Sequence, residues 1–219
     1  MTTPPPGLRE RKKQATREAL RRAALRLAME RGPDRVRVED IAEAAGVSPR
    51  TYNNYFASRE QAIVSAVTAD RETRIATAVT ARPAGVRLAD AVTEALVEQY
   101  ANASERDQRT LLLITTHTAL RGAFLGATAD IEPPLAAALA RCLGEDPAAP
   151  ATRVLAASVA AAVRIALEDW LQPATAAHPD RAHDAGGLVI PAGSLPDRLR
   201  AALAPLGPAF DAVERGRQQ

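Results

Sequence analysis

Residues 38–56, VEDIAEAAGVSPRTYNNYF, carry the pattern of two short helices joined by a tight turn. Small and apolar residues recur at helical spacing until Gly46, which is expected to end the first helix. Ser48 is then placed to cap a second helix whose first residue is Pro49. Because such a pair places its second helix in the major groove of DNA, the stretch predicts a helix-turn-helix.

The second of these helices carries side chains suited to reading base edges, namely Arg50, Asn53 and Asn54. An arginine can donate two hydrogen bonds to guanine O6 and N7, and an asparagine can pair with adenine N6 and N7. Tyr52 and Phe56 are expected instead to be core residues that hold this helix against the rest of the domain. The helix is therefore predicted to have one face for DNA and one face for packing.

The composition of the 219-residue chain favours an all-helical protein. Hydrophobic residues make up 47% of it but aromatic residues only 3%, and much of the apolar content is alanine, a strong helix former. The net charge is +2, yet residues 1–60 hold 13 Lys and Arg against 8 Asp and Glu, whereas the remainder holds 15 against 18. The positive surplus coincides with the helix-turn-helix, where attraction to phosphates requires it, although a solvated basic surface gives the same count.

The sequence contains few signs of other functions. Cys142 is the only cysteine, which is compatible with a reducing compartment. We identify no signal-peptide segment and no window approaching the roughly 18–20 apolar residues that span a bilayer, so a cytoplasmic protein with no membrane partner is expected. No nucleophile–base pair or phosphate-binding glycine loop is recognisable, so neither enzymatic activity nor a cofactor is expected.

Hydrophobic periodicity predicts helices, and almost no strands, along the chain. The expected fold is all-α, with a three-helix helix-turn-helix DNA-binding domain at residues 8–57 and a larger helical effector and dimerisation domain at residues 58–219. Ser58 and Gln61 form a capping-box pattern at the start of a helix expected to link the two domains rigidly. Outside the helix-turn-helix, the predicted helices are 8–31, 58–82, 87–103, 111–125 (as one helix or two), 133–143, 151–171 and 195–206.

A loop is predicted at residues 172–193, which are dense in Pro, Gly, Ala and His. It includes the sequence HPDRAHD, whose residue types bind metals. Nothing in the sequence fixes their geometry, so a solvated loop is favoured and no metal site is assigned. The residues concerned are His178, Asp180, His183 and Asp184.

Residues 8–65 resemble the DNA-binding part of the tetracycline-repressor (TetR) family of transcriptional regulators. The resemblance is carried by a basic first helix that ends in ERG and by the sequence VEDIAEAAGVSPRTYNNYFASREQAI. Beyond residue 80 the resemblance rests mainly on layout. It implies a homodimer whose C-terminal domain binds a small-molecule effector and whose two N-terminal modules then release a double-stranded DNA operator.

The resemblance also implies which residues contact DNA. Phosphates would be bound by the hydroxyl of Thr51, by the phenol of Tyr55, and by the backbone N–H and guanidinium of Arg59. Arg37 stands where the family usually has a threonine that caps the helix and contacts DNA, and its side chain could still reach a phosphate. Near the start of the chain there is either a minor-groove arm or a solvated tail, formed by Arg9, Arg11, Lys12 and Lys13. The expected DNA contacts are Arg37, Arg50, Thr51, Asn53, Asn54, Tyr55 and Arg59.

The helices at 151–171 and 195–206 are the predicted dimer interface, a four-helix bundle across a twofold axis, with packing inside one chain as the alternative. An effector pocket is predicted where polar or aromatic residues interrupt apolar stretches. His117 and Arg121 lie four residues apart on one helical face and could together hold an anionic group. The pocket candidates, each alternatively an ordinary core or surface residue, are Tyr100, Thr116, His117, Arg121, Phe124 and Trp170.

The sequence thus predicts a dimeric TetR-type repressor that a small-molecule effector releases from a pseudo-palindromic operator. The C-terminal part, with its ALEDWL segment, is similar to regulators that sense acyl-CoA-like ligands. An activator or a ligand-independent DNA-binding regulator of the same fold is the nearest alternative. A helical protein-interaction module or a helical enzyme is an alternative of another class.

Overall fold

The computed structural model of the chain describes residues 7–69, 71–101, 105–171 and 194–216, and of residues 101 and 105–109 the backbone only. The described residues form α-helices and short 3-10 turns, with no strand among them, in agreement with the predicted all-α class. The segment 172–193, with the four His and Asp residues considered as metal ligands, lies outside the described residues.

The chain divides into two compact units, Met1–Thr68 and Ala69–Gln219. The helix that begins at Arg59 packs against the first helix and lies in the first of these units. In chain order the helices are α1 (Leu8–Arg31), α2 (Val38–Ala44), α3 (Pro49–Asn53), α4 (Arg59–Thr68), α5 (Arg71–Thr80), α6 (Leu88–Ala101), α7 (Glu105–Thr116), α8 (Thr118–Gly126), α9 (Glu132–Leu143), α10 (Pro150–Trp170), α11 (Leu195–Leu203) and α12 (Gly207–Gly216).

The N-terminal unit is organised around α1, which packs against α2 and α4. Leu20 and Leu27 of α1 are buried together with Ile41 of α2 and Ile63 of α4. Burial of these aliphatic side chains removes apolar surface from water and provides the main stabilisation of the unit. The three helices thus form a small core on which the short helix α3 is mounted.

The turn between α2 and α3 is closed by two backbone hydrogen bonds. The N–H of Val47 donates to the carbonyl of Ala42 and the N–H of Gly46 donates to the carbonyl of Glu43, both at 2.9 Å. This is the Schellman pattern, and it places Gly46 in the left-handed region with φ 69°. Gly46 therefore ends α2 as predicted, because a residue without a Cβ adopts this conformation at little cost.

The predicted single helix over residues 58–82 is wrong. The structure has two helices there, α4 ending at Thr68 and α5 beginning at Arg71. The stretch contains neither glycine nor proline, so no local signal in the sequence marks the break.

The C-terminal unit is built around α10, which packs against α9 and α11. Its 21 residues are long and apolar enough to cross a membrane by length and composition, with a mean hydropathy of 1.4, so the expectation that no segment reaches this threshold is corrected. Half of the most apolar 18-residue stretch of α10 is buried inside the protein, and Val159, Val163 and Leu167 face the core. The apolar character of α10 is thus used in packing against neighbouring helices.

Two further features of this unit differ from the sequence prediction. Leu195, Leu199 and Leu203 of α11 are buried against α10 and α6 of the same chain, so the apolar face of this helix is occupied within the protomer. After α11 the chain continues through a 3-10 turn into α12, which was not predicted. The Gly-Pro pair at its start reads as a stop signal, yet proline is also well placed in the first turn of a helix.

Candidate DNA-binding surface and effector site

The short helix α3 begins with the predicted serine cap. The Oγ of Ser48 accepts a hydrogen bond from the backbone N–H of Thr51 at 3.1 Å and lies 2.9 Å from the Oγ1 of Thr51. If Ser48 is the donor in the second contact, the hydroxyl proton of Thr51 is left to donate elsewhere. The cap therefore fixes the start of α3 and holds the Thr51 hydroxyl in one position.

The packing face of α3 is formed by the aromatic residues expected there. Tyr52 and Phe56 are buried, with ring centroids 5.8 Å apart. The phenol of Tyr52 donates a 2.7 Å hydrogen bond to the carbonyl of Ser58, which ties α3 to the start of α4. Burial, assisted by the negative charge of Glu60, raises the pKa of Tyr52 to about 12, so this phenol is neutral at physiological pH. The prediction that both rings are core residues is confirmed.

The opposite face of α3 carries the residues assigned to base reading. Arg50, Asn53 and Asn54 are exposed, while Thr51 and Tyr55 are half-buried. Arg50 is the second residue of α3, and Asn54 is its C-cap, with its N–H bonded to the Thr51 carbonyl at 3.1 Å. The structure thus brings these side chains together on one short element, and their contacts with DNA stay a prediction.

Arg59 has partners inside the N-terminal unit. Its Nη1 donates to the carbonyls of Asp34 (3.1 Å) and Val36 (2.9 Å), and its Nε donates to the Glu60 carboxylate at 2.7 Å. Burial alone would raise the pKa of Glu60, but hydrogen bonds from Arg59, its own backbone N–H and Ser58 lower it on balance. The guanidinium of Arg59 thus fastens the segment before α2 to α4, a role that the sequence did not suggest.

Arg37 occupies the N-cap of α2 and is exposed. An arginine side chain has no hydrogen-bond acceptor, so it cannot cap the helix as a threonine would. The other hydrogen bond of a capping box is present, since the Oδ2 of Asp40 accepts from the backbone N–H of Arg37 at 3.0 Å. The side chain of Arg37 thus does not cap α2, and its contact with a phosphate stays a prediction.

The four basic residues near the start of the chain are helical and exposed in the first turns of α1, namely Arg9, Arg11, Lys12 and Lys13. Further along α1, the guanidinium of Arg17 lies 5.7 Å from the ring centroid of Phe56. This cation–π contact adds to the packing of the aromatic pair that supports α3. The start of α1 thus adds exposed positive charge to the unit that carries the recognition helix.

Two of the predicted pocket residues meet in the C-terminal unit, around an arginine that the sequence analysis did not select. The guanidinium carbon of Arg71 lies 4.4 Å from the ring centroid of Tyr100 and 5.9 Å from that of Phe124. Burial raises the pKa of Tyr100, although the charge and hydrogen bond of Arg71 oppose the shift. Tyr100, Phe124 and Arg71 therefore form one cluster contributed by α6, α8 and α5.

Arg71 could have been found from spacing. It precedes Ile75 and Val79 by four and eight residues, and both of these are fully buried. Residues four apart lie on the same face of a helix, so Arg71 belongs to the buried face of α5. Most arginines lie at the surface, so composition alone does not single this one out.

His117 and Arg121 do not share one uninterrupted helix, and their joint binding of an anionic group stays a prediction. The helix breaks at His117, which is the N-cap of α8 with extended backbone (φ −118°, ψ 115°). His117 Nδ1 lies 2.9 Å from the Leu113 carbonyl, and Arg121 donates to the Thr115 carbonyl at 3.2 Å, so both side chains contact the end of α7. Thr116 is exposed, with its hydroxyl bonded to the Leu112 carbonyl at 2.9 Å, and Trp170 is buried at the end of α10.

Two family models match the chain. The model for bacterial regulatory proteins of the tetR family matches residues 20–66, and the model for the MftR C-terminal domain matches residues 86–186. The HTH-type transcriptional regulator TcmR of Streptomyces glaucescens is 45% identical over 80 residues, which are 36% of this chain and 35% of TcmR. The chain thus matches about a third of the length of this curated relative.

One solved structure extends the likeness of fold to the C-terminal unit. Thermus thermophilus FadR, a TetR-family transcriptional repressor in complex with lauroyl-CoA, aligns over 87% of this chain and 92% of its own, with a TM-score of 0.50 and 21% identity. A second structure, of a putative TetR-family regulator from Rhodococcus sp., aligns over 90% of this chain and 99% of its own, with a TM-score of 0.44 and 19% identity. The likeness to FadR concerns the fold.

A helix-turn-helix unit followed by a larger helical unit defines a bacterial transcriptional regulator. Within that class, the chain belongs to the TetR family.

Proposed function

We propose that the protein is a cytoplasmic, non-enzymatic repressor that binds a pseudo-palindromic DNA operator and is released from it by a small-molecule effector. The observation that carries the proposal is the two-sided construction of α3. Tyr52 and Phe56 bury one face, and Ser48 caps its start, so Arg50 and Asn53 are presented to solvent from a fixed backbone. A rigidly held helix with exposed donors and acceptors is what base reading in the major groove requires.

A dimer would supply the second recognition helix that a palindromic operator needs. An exposed seam on α10 supports this part of the proposal. Val154 and Ile165 are 63% and 48% exposed although both are large apolar residues, and half-buried Ser158 and exposed Ala161 lie between them at spacings of four, three and four residues. This spacing is that of a coiled-coil seam, and its small central residues would allow two copies of α10 to approach closely. The partner proposed for this seam is a second copy of the chain.

The effector is proposed to bind the C-terminal unit, and an acyl-CoA-like molecule is the candidate. FadR, which shares the fold, was solved with lauroyl-CoA bound. An effector releases DNA when it binds more tightly to a dimer whose recognition helices no longer match successive major grooves. The coupling is therefore a difference in affinity between two arrangements of the same dimer.

Selection of bound duplexes from a random DNA pool tests the proposal, with the wild-type protein beside two variants. The wild type should enrich an inverted repeat, and Arg50→Ala should relax the base preference at one position of each half-site. Thr51→Ala is the control, because loss of a phosphate contact should weaken all sites similarly without changing the preferred sequence. If no sequence is enriched even at low salt, DNA reading is refuted, and an unchanged preference for Arg50→Ala refutes the base-reading role of that residue.

A further inference from the structure

A charged side chain lies inside the C-terminal unit without a full set of partners. The Nε and Nη1 atoms of Arg71 are buried and have no hydrogen-bond partner in the described part of the chain. A guanidinium remains protonated in proteins, and a buried polar atom without a hydrogen bond costs free energy. Since buried polar groups nearly always have partners, these two nitrogens call for one.

The surroundings of Arg71 hold the cation without neutralising it. Tyr100 and Phe124 lie within cation–π range, at 4.4 and 5.9 Å from its guanidinium carbon. Cation–π attraction stabilises the charge but uses none of its N–H donors. Burial raises the pKa of Tyr100, so this residue is a neutral phenol and does not serve as a counter-ion.

A second arginine with an unsatisfied buried donor lies on α8, the helix that carries Phe124. Arg121 precedes Phe124 by one helical turn, and its Nε is also buried without a hydrogen-bond partner. Among the residues that the structure describes, neither Arg71 nor Arg121 forms a salt bridge with a carboxylate. Both arginines therefore keep buried N–H donors that no described residue accepts.

On α6 and α8, the buried residues one helical turn before Tyr100 and Phe124 are apolar. Leu96 and Val97 lie one turn before Tyr100 on α6, and Leu120 lies one turn before Phe124 on α8, and all three are buried. A ligand that satisfies the arginines would thus meet hydrocarbon and aromatic surface beside them. That combination matches a molecule with an anionic head group and an apolar body.

We propose that Arg71, assisted by Arg121 and flanked by Tyr100 and Phe124, binds the carboxylate or phosphate head group of an amphipathic small molecule. The apolar part of this molecule lies along α6 and α8. The inference rests on the proposed effector-responsive function and names the chemical class of the effector.

Decanoate and 1-decanol serve as probes, because they share a chain length and differ in the charge of the head group. Their binding to the full-length protein is measured by isothermal titration calorimetry at pH 8. The wild type should bind decanoate about ten-fold or more tightly than decanol, as expected for charge-assisted hydrogen bonds to a guanidinium. Arg71→Met should lose this preference while its affinity for decanol stays close to that of the wild type.

The matched control is Arg74→Met, the same substitution one turn further along α5. Arg74 is exposed and donates to the side chain of Gln99 at 2.6 Å, so this variant should keep the wild-type preference. Equal binding of both probes to the wild type, or a preference retained by Arg71→Met, overturns the proposal. If Arg71→Met does not fold, Arg71→Lys replaces it: a weakened preference supports the proposal and an unchanged one overturns it.

Operator selection with the same wild-type sample separates this inference from the function on which it rests. A protein that enriches an inverted repeat but does not distinguish decanoate from decanol refutes the anion site and leaves the regulator. A protein that prefers decanoate through Arg71 but enriches no DNA refutes the proposed function and leaves the anion site.

Discussion

Tyr52 offers a direct test of how the recognition helix is held in place. Its buried phenol donates a 2.7 Å hydrogen bond to the carbonyl of Ser58. Tyr52→Phe removes the hydroxyl and keeps the ring that packs against Phe56. Because the Ser58 carbonyl still accepts from the N–H of Ala62 at 3.2 Å, the loss is that of one hydrogen bond, or about 1 kcal/mol of unfolding free energy near neutral pH.

The pH dependence of this difference is the sharper measurement. Burial, followed by the charge of Glu60, raises the pKa of Tyr52 from 10.0 to about 12. Since the folded-state pKa exceeds the unfolded value, the stabilisation from the neutral phenol is complete below pH 10 and is lost as the pH rises through about 12. By about pH 11 the wild type should have lost about 1.4 kcal/mol through this group, one pKa unit being worth that amount. Tyr52→Phe has no phenol to ionise, so its unfolding free energy does not fall for this reason. The two proteins should therefore be equally stable at about pH 10.7, where the wild type's loss through ionisation equals the hydrogen bond that the variant lacks.

Urea unfolding of both proteins at about pH 8 and pH 11 provides the assay. Far-ultraviolet circular dichroism follows both units, whereas the fluorescence of Trp170, the one tryptophan in the sequence, follows the C-terminal unit. The control is Phe56→Leu, which disturbs the same core without removing an ionisable group, so its deficit should be equal at the two pH values. If the difference in unfolding free energy between Tyr52→Phe and the wild type is likewise the same at both pH values, the claim that burial raises the pKa of Tyr52 is refuted.

Three further predictions concern the backbone, a helix cap and the surface of α10. Gly46→Ala should lower the unfolding free energy by about 1 kcal/mol in urea titrations, because φ there is 69°, a conformation that alanine disfavours. An added Cβ meets no atom within 4 Å, so no steric clash adds to this cost. Gly126→Ala is the control: its φ is helical, so this variant should be neutral or stabilised by up to about 1 kcal/mol. Glu214→Ala should destabilise the C-terminal unit by about 1 kcal/mol, since the Glu214 carboxylate accepts from the Leu88 N–H at 3.0 Å and caps α6; equal stability by tryptophan fluorescence would contradict this. Ile165→Glu should convert the proposed dimer to a monomer in sedimentation velocity with the helical signal unchanged, and a dimer that persists would remove α10 from the interface.

Several elements of this protein were predictable because their signals are local. Gly46, Ser48 and Pro49 define the turn and the start of α3 through backbone conformation and one side-chain hydrogen bond, all within a few residues. Gly32 and Gly144 likewise end α1 and α9, with φ of 79° and 70°. Such positions depend on steric preferences of the individual residue, so the sequence states them without knowledge of the rest of the fold.

The breaks without glycine or proline were not predictable in this way. Helix α4 ends at Thr68 and α7 ends just before His117, with no glycine or proline at either end, and the threonines and the histidine there disfavour helix only weakly. Propensity is a weak preference that tertiary contacts override.

The sequence by itself therefore determined the all-α class, the helix-turn-helix and the face of α3 that carries Arg50 and Asn53. Which partners the side chains of Arg59 and Arg71 contact was decided by the tertiary structure alone. Arg59 is engaged by the carbonyls of Asp34 and Val36, some 25 residues away in sequence, and Arg71 is enclosed by aromatic rings from α6 and α8. The physical reason is that helical periodicity states which way a side chain points, whereas its partners come from segments that only the folded chain brings together.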